Sequence, residues 1–325
     1  MSVRVRVPAS SANLGPGYDV FSVALDNPHL TVEAEKITLS EVKVTNTGEY
    51  ASEVINDPEK HAGARAAKKL LSEKKPNQGI HLKIDVAIPP RKGLGLSGAE
   101  AAGAVYAVNH LLHLGLSPEE LVHYAATAEP GGHLDNVAAS LLGGFTISIH
   151  DSLLDRTVVK CIKPPEGLGL VVVVPDISKT STEDARRAVP EVLGRNKHVE
   201  IVGRASLAAV GISTSDIELV LSSVLYDPYV ELARADAGVY GHGVDGRALV
   251  GEKLELFRRY HVVETISGAG PSRLLWFKIS ENRGKEGERP VDRAVELVSD
   301  NLLSAGHRVW RIFHTGPSAS GCQIY

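Results

Sequence analysis

Apolar and polar positions alternate with period two in "SVRVRV" (2–7) and again in "HLTVEAEKITL" (29–39), which predicts two half-buried β-strands. Between them "PASSANLGPGY" (8–18) holds Ser, Gly and Pro without periodicity and predicts a loop. "KHAGARAAKKLLSEK" (60–74) changes to the 3.6-residue period and is rich in helix formers, so it predicts a helix. "GIHLKIDVAI" (79–88) reads as a strand stopped by Pro89 and Pro90. A long helix follows over about 97–114. "SPEELVHYAAT" (117–127) predicts another, with Ser117 as N-cap, Pro118 at the first helical position and Glu120 completing a capping box. "DNVAASLLGG" is helical up to its glycine pair, and "FTISIH" (145–150) is a strand.

The Pro- and Gly-rich link that opens "CIKPPEGLGLVVVVP" (161–175) leads into a buried strand and puts a domain boundary at about residue 165. That gives an N-terminal domain, 1–165, and a C-terminal domain, 166–325. Beyond it the pattern predicts helices near 181–189, 197–210 and 214–224. Two strands then flank the Gly-rich turn of "VVETISGAGPSRLLWFKI" (262–279), followed by a helix over 290–304 and a last strand, "HRVWRIF". Strands and helices alternate irregularly, with hairpin-like neighbours, which predicts an α+β fold rather than a doubly wound α/β fold.

Composition works mainly by exclusion. A chain of 325 residues with a net charge of −4 offers no global attraction for nucleic acid or an anionic membrane. Any phosphate affinity must come from a local site. Cys161 and Cys322 match no zinc spacing and form no disulfide framework, and read as buried thiols in a reducing compartment. No apolar run reaches membrane-spanning length, so a cytoplasmic protein is expected.

The candidate chemistry centres on "PPRKGLGLSGAEAAG" (89–103), where Gly93, Gly95 and Gly98 have G-x-G-x-x-G spacing. A dinucleotide turn places such glycines directly after a first strand, with an acidic residue about 20 positions on at the end of a second. Here Pro89, Pro90, Arg91 and Lys92 intervene, and the acids at that distance, Glu119 and Glu120, start a helix. NAD is therefore not expected. Two readings stay open: an anion site made of backbone N–H groups at a helix start, helped by Ser97, Arg91 and Lys92, or a tight turn capped by Ser97.

Three stretches in order, "PASSANLGPGYDVFSVAL" (8–25), "PPRKGLGLSGAEAAG" and "ISGAGPS" (266–272), resemble the three motifs of the GHMP kinases. The first of them and "GGHLDNVAASLLGGF" (131–145) are specifically similar to homoserine kinases. The resemblance implies an N-terminal domain of ribosomal-protein-S5-like topology and a ferredoxin-like C-terminal domain. It implies transfer of the γ-phosphoryl group of Mg-ATP to the L-homoserine hydroxyl in threonine biosynthesis, by a homodimer. ATP would lie on Pro89, Arg91, Lys92, Gly93, Leu94, Gly95, Leu96, Ser97, Gly98 and Ala99, with Mg²⁺ held by Ser97 and Glu129. The acceptor would meet Asn13, Asp19, His133, Asp135, Asn136, Thr182, Arg186, Gly268 and Gly270. Phosphoryl transfer needs positioning and charge neutralisation above all. The resemblance thus gives catalysis to Ser97, Glu129 and Asn136, with no general base.

Taken alone, the same residues have plainer readings. Asn13 and Asp19 suit a turn, Glu129 and Arg186 suit solvated helix positions, and Asp135 suits a helix N-cap. The chain also departs from the family pattern. Leu96 and Gly98 alter the usual "GLGSSAA", and the link between Glu129 and His133 is short. Val230, in "DPYVELAR" (227–234), stands where homoserine kinases carry a carboxylate-binding arginine, and Arg234 lies one helical turn on. Two alternatives follow: a GHMP kinase for pantoate or a mevalonate derivative, and an inactive metabolite sensor on the same scaffold.

Overall fold

A computed structural model describes residues 2–177 and 182–325. The chain opens with two long antiparallel strands, β1 (Ser2–Asn13) and β2 (Gly17–Ile37). They are followed by β3 (Val42–Thr47), α1 (Ala62–Lys74) and β4 (Gly79–Asp85). Next come α2 (Leu96–Leu112), α3 (Pro118–Ala126), α4 (Asp135–Leu142), β5 (Phe145–Asp151) and β6 (Arg156–Ile162). The second half comprises β7 (Leu168–Pro175), α5 (Thr182–Arg187), α6 (Arg195–Thr214), α7 (Ile217–Val224), α8 (Val230–Asp236) and α9 (Gly246–Tyr260). It ends with β8 (Val263–Ile266), β9 (Arg273–Lys278), α10 (Pro290–Ser304), β10 (Val309–Thr315) and β11 (Gln323–Ile324). The architecture is α+β, as the sequence pattern predicts.

The strands form two sheets. The seven-stranded sheet runs β11-β1-β2-β4-β3, with β5 on the near end of β2 and β6 beyond it. The four-stranded sheet runs β10-β7-β9-β8, antiparallel throughout. β7 is buried on both faces, and its unbroken apolar run explains why. Val171 and Val173 face α9 and α10, whereas Leu170, Val172 and Val174 face the core that spans both sheets. Phe145 of β5 and Trp276 of β9 stack across that core with ring centroids 5.8 Å apart.

The expected loop over 8–18 is a correction. Residues 8–13 continue β1, with Ser10 opposite Ala24 and Ser11 opposite Val23, and only three residues separate β1 from β2. Polar composition suggested solvent, but Ser10, Ser11 and Ser22 are fully buried. Small hydroxyls fit where other segments pack closely on a strand, and their hydrogen bonds, from Ser10 to α4 and from Ser11 to Ser267, offset the burial. α2 exploits the same economy of size. A Cβ at Gly103 would lie 2.7 Å from Val7 and from Val32, so glycine lets the helix rest directly on β1 and β2. A second correction concerns the cysteines, since Cys322 is buried but Cys161 is exposed.

Candidate active site

Between β4 and α2 the chain makes the Gly-rich turn. Gly93 and Gly95 adopt left-handed backbone conformations, with φ of 75° and 69°. Both also pack too closely for a side chain. A Cβ on Gly93 would strike the Ser267 carbonyl, and one on Gly95 would come within 2.9 Å of Asn136 Nδ2. Gly95, not Ser97, is the N-cap of α2. Ser97 is free to turn its Oγ towards Glu129, donating to Oε2 at 3.1 Å. The short link after Glu129 therefore does not keep it from the loop. Gly98 serves packing: a Cβ there would sit 3.0 Å from that of Asn136, between α2 and α4.

This turn forms one wall of a cleft of about 450 Å³. Pro89, Arg91, Gly93, Leu94, Gly95, Leu96, Ser97 and Glu129 line it, together with Asn13, Asp19, His133, Asp135, Asn136, Arg186 and Gly268. The structure thus brings together most of the residues singled out from sequence. Lys92 does not join them. Its Nζ donates to the carbonyls of Pro175 and Ile177, at 3.0 and 2.6 Å, beyond the cleft. Gly98, the fully buried Ala99 and the turn residue Gly270 also lie behind the cleft wall. The side chain of Thr182 lies outside the described residues.

Asn13 and Asp19 hold left-handed conformations around the β1–β2 turn, with φ of 72° and 57°. Asn13 Nδ2 donates to the Gly268 carbonyl at 2.6 Å, and its Oδ1 accepts from the Asp19 amide at 3.1 Å. Asp19 Oδ2 lies 2.8 Å from Arg186 Nη2, and its Oδ1 lies 3.4 Å from His133 Nδ1. Burial raises the Asp19 pKa, but the hydrogen bonds and charges of His133 and Arg186 outweigh it and hold the carboxyl below its ordinary range. Asp135 is fully enclosed. Burial, then the charge of Asp19, pushes it up to about 6 against the hydrogen bond from the Asn136 amide. It opens the first turn of α4, where the N-cap is Leu134. Two adjacent carboxylates thus differ in character.

Asn136 is held from behind. Its Nδ2 donates to Ser10 Oγ at 3.0 Å, and Ser140 Oγ donates to the same atom at 3.1 Å. The third Gly-rich stretch meets the other two here. The Gly268 amide donates to the Ala12 carbonyl at 3.1 Å, and Ser267 Oγ is 2.8 Å from Ser11 Oγ and 2.7 Å from the Gly93 carbonyl.

Several cleft residues escaped the site assignment from sequence, Glu100, His61 and Arg234 among them. Glu100 is buried beneath α2's first turn, and burial, then the charge of Glu129, pushes it up to about 8. Its neighbour His61, 3.6 Å away, is pushed down to about 4 by burial. A lone acid within "GAEAAGA" was the available signal. Arg234 also lines the cleft, because 230–236 is helical, whereas Val230 is packed into the core.

Comparison with known proteins agrees with this geometry. The model of the GHMP kinases N terminal domain matches residues 62–144. The homoserine kinase of Methanococcus vannielii is 35% identical over 274 residues, covering 83% of this chain and 86% of that protein. The homoserine kinase of Halorubrum lacusprofundi is 37% identical over 291 residues, covering 87% and 89%. Among solved structures, the homoserine kinase of Cytophaga hutchinsonii superposes with a TM-score of 0.82 at 24% identity, over 100% of this chain and 97% of that one. The mevalonate diphosphate decarboxylase of Staphylococcus aureus shares the fold, with a TM-score of 0.69 at 14% identity over 100% and 98%. With two curated relatives above 30% identity over most of its length, this chain belongs to the homoserine kinase family of the GHMP kinases.

Proposed function

We propose that this ATP-dependent small-molecule kinase phosphorylates the side-chain hydroxyl of L-homoserine. The observation that carries the reading is the paired charge at one end of the cleft. Asp19 and Asp135 face it together with Arg186 and Arg234, a few residues from a phosphate-type turn. A zwitterionic amino acid presents an ammonium and a carboxylate, and such a site meets both. Pantoate and mevalonate derivatives have no ammonium and would leave a buried carboxylate without a partner, which is costly. Val230, buried in the core, supplies no charge to the cleft, and that departure from the expected family pattern is what motivates an alternative acceptor.

In this reading the triphosphate lies along Gly93 to Ser97, where left-handed glycines and the start of α2 present backbone N–H groups and the positive end of the helix. Ser97 and Glu129 fit a Mg²⁺ ion, because a hydroxyl and a carboxylate at the same wall of the cleft are the hard oxygen donors it takes. When bound, the ion supplies neutralising charge on the phosphates. Asp135 takes the acceptor ammonium, and Arg186, already tethered to Asp19, borders its carboxylate. Asn136, fixed by Ser10, directs its amide at the transferring group. Aligned groups and neutralised charge supply most of the acceleration in phosphoryl transfer. Residues 1–165 act as the nucleotide-binding domain, and the acceptor lies between it and residues 166–325, with Asp135 from the first and Arg186 and Arg234 from the second. No described helix is long and apolar enough to cross a membrane, in keeping with action on a soluble metabolite in the cytoplasm.

ADP release measured over homoserine, threonine, serine, pantoate and mevalonate tests the proposal. Homoserine should give the highest kcat/KM, and turnover of pantoate or mevalonate with none of homoserine would overturn it. Chelation by EDTA should abolish turnover. Glu129→Gln should raise the half-saturating Mg²⁺ concentration about 10-fold, a loss of about 1.4 kcal/mol, readable in a metal titration.

A further inference from the structure

We infer that Lys92 is a positioning residue that couples the two substrates, so that nucleotide and acceptor each bind more tightly when the other is present. The inference rests on the homoserine kinase reading and deepens it. Arg91 and Lys92 adjoin on the phosphate turn but point apart. Arg91 has a left-handed backbone, with φ of 57°, and its exposed side chain lines the cleft. Lys92 turns the other way. Its Nζ donates to the carbonyls of Pro175 and Ile177, at 3.0 and 2.6 Å, and lies 5.5 Å from the centre of the Trp310 ring. Burial holds its pKa below the ordinary lysine range, although the charge of Asp176 acts the other way. Bonds from a charged donor are the stronger kind, and here both go to one backbone segment.

These contacts matter because of what lies on each side of them. On one side Lys92 precedes Gly93, whose carbonyl accepts from Ser267 Oγ at 2.7 Å and whose Cα leaves no room for a side chain. The turn that presents amides to the triphosphate is thus pinned at two consecutive residues. On the other side Pro175 ends β7, and the chain runs on from Ile177 into α5, which carries Arg186. Arg186 lines the cleft and pairs with Asp19 at 2.8 Å. Asp176 anchors the same strand end to the chain just before β10. Its amide donates to the Arg308 carbonyl at 2.8 Å, and its Oδ1 accepts from the Arg308 amide at 3.1 Å. One side chain therefore spans the nucleotide wall and the segment that leads to an acceptor-side cation. A ligand that fixes either end fixes both, and the second ligand meets a site already in place.

The test reads binding by calorimetry, using Mg²⁺ and β,γ-methylene-ATP, which cannot transfer its phosphoryl group, with and without saturating L-homoserine. The proteins are wild type, Lys92→Met, Lys92→Gln and Arg91→Met, each checked for folding by thermal unfolding. In the wild type homoserine should lower the Kd of the analogue about 10-fold, and the analogue should lower that of homoserine by the same factor. Lys92→Met should reduce both factors to below about 2-fold. Arg91→Met should weaken the analogue equally in both conditions and so keep the coupling. A wild-type factor below about 2-fold, or an undiminished factor in Lys92→Met, overturns the inference while leaving the homoserine reading intact. The second result is what a lysine in direct contact with phosphate would give. A loss of coupling in Arg91→Met as large as in Lys92→Met also overturns it, because the effect would then belong to local charge. Should Lys92→Met fail to fold, Lys92→Gln decides, a factor within about 2-fold of wild type counting against. A wild type that binds the analogue but no homoserine overturns the functional reading and this inference with it.

Discussion

Asp135 is caught between two requirements. To bind an ammonium it must carry charge, yet its enclosure beside Asp19 raises its pKa to about 6 and makes that charge costly. Its folded pKa lies above the unfolded value near 3.8, so the site is penalised once the carboxyl ionises, from about pH 4 up to pH 6 and constantly above. Asp135→Asn should therefore raise the melting temperature at pH 8, and the gain should vanish by pH 4. The same variant should lose at least 100-fold in kcat/KM for homoserine, through its missing charge. For the wild type, KM for homoserine should climb as pH falls through 6. Differential scanning fluorimetry and a pH–rate profile read these outcomes. At this scale the sequence was informative wherever a residue sat within a short motif, as Asn13, Asp19, Ser97 and Asn136 did. It was silent on direction. Lys92 had the right charge and the right neighbours, but only packing reveals that it reaches for the Pro175 and Ile177 carbonyls.

The start of α2 shows how an element can be tuned by what it omits. Gly95 must be left-handed and must leave room for Ser10 and Asn136. Gly95→Ala should cost about 1–3 kcal/mol in stability and weaken ATP binding beyond what that loss explains, as denaturant titration and nucleotide calorimetry would record. The capping box of α3 gives a contrasting case. Ser117 accepts from the Glu120 amide at 3.2 Å, and Glu120 returns the contact to the Ser117 amide at 2.9 Å. Ser117→Ala should cost about 1 kcal/mol and leave turnover at its wild-type value, since the box faces solvent away from the cleft. Such local signals made α1, α3 and α10 readable from the chain. The extension of β1 through Ser10 and Ser11 was unreadable, because their burial depends on helices far away in sequence. β3, β6, α8 and α9 also went unassigned. α9 is amphipathic, with Leu249 and Leu256 inward, but Gly246, Gly251 and its many charges hide the period.

Across the whole molecule the site depends on contacts between distant segments. Ser267 joins Ser11 and Gly93 through one hydroxyl, so the three motifs share a single junction. The segment after β10 performs a comparable service for the seven-stranded sheet. The Ser318 amide donates to the Ala24 carbonyl at 2.8 Å, the Gly144 amide to the Ser318 carbonyl at 2.7 Å and the Cys322 amide to the Leu141 carbonyl at 3.1 Å. Deleting residues 317–325 should lower the melting temperature by about 10 °C and reduce turnover, because α4, which carries Asp135 and Asn136, loses its support. A truncated protein with wild-type melting and kinetics would refute this. The fold class was legible because it follows from the order of elements. The closing of one sheet by the other half of the chain was not, because nothing local in "GCQIY" announces its partner.

That closure sets a timetable for synthesis. Val5 pairs with Ile324, so the free edge of β1 receives this neighbour only after more than 300 further residues have been made. At about 5–20 residues per second, roughly 15–60 s pass on the ribosome while that edge stays open to any other nascent chain. The exposed charges of Arg4 and Arg6 alternate along it, and charged edges are poor templates for unwanted strand pairing. The sequence pattern that first marked a strand thus also guards it during the interval before its partner arrives.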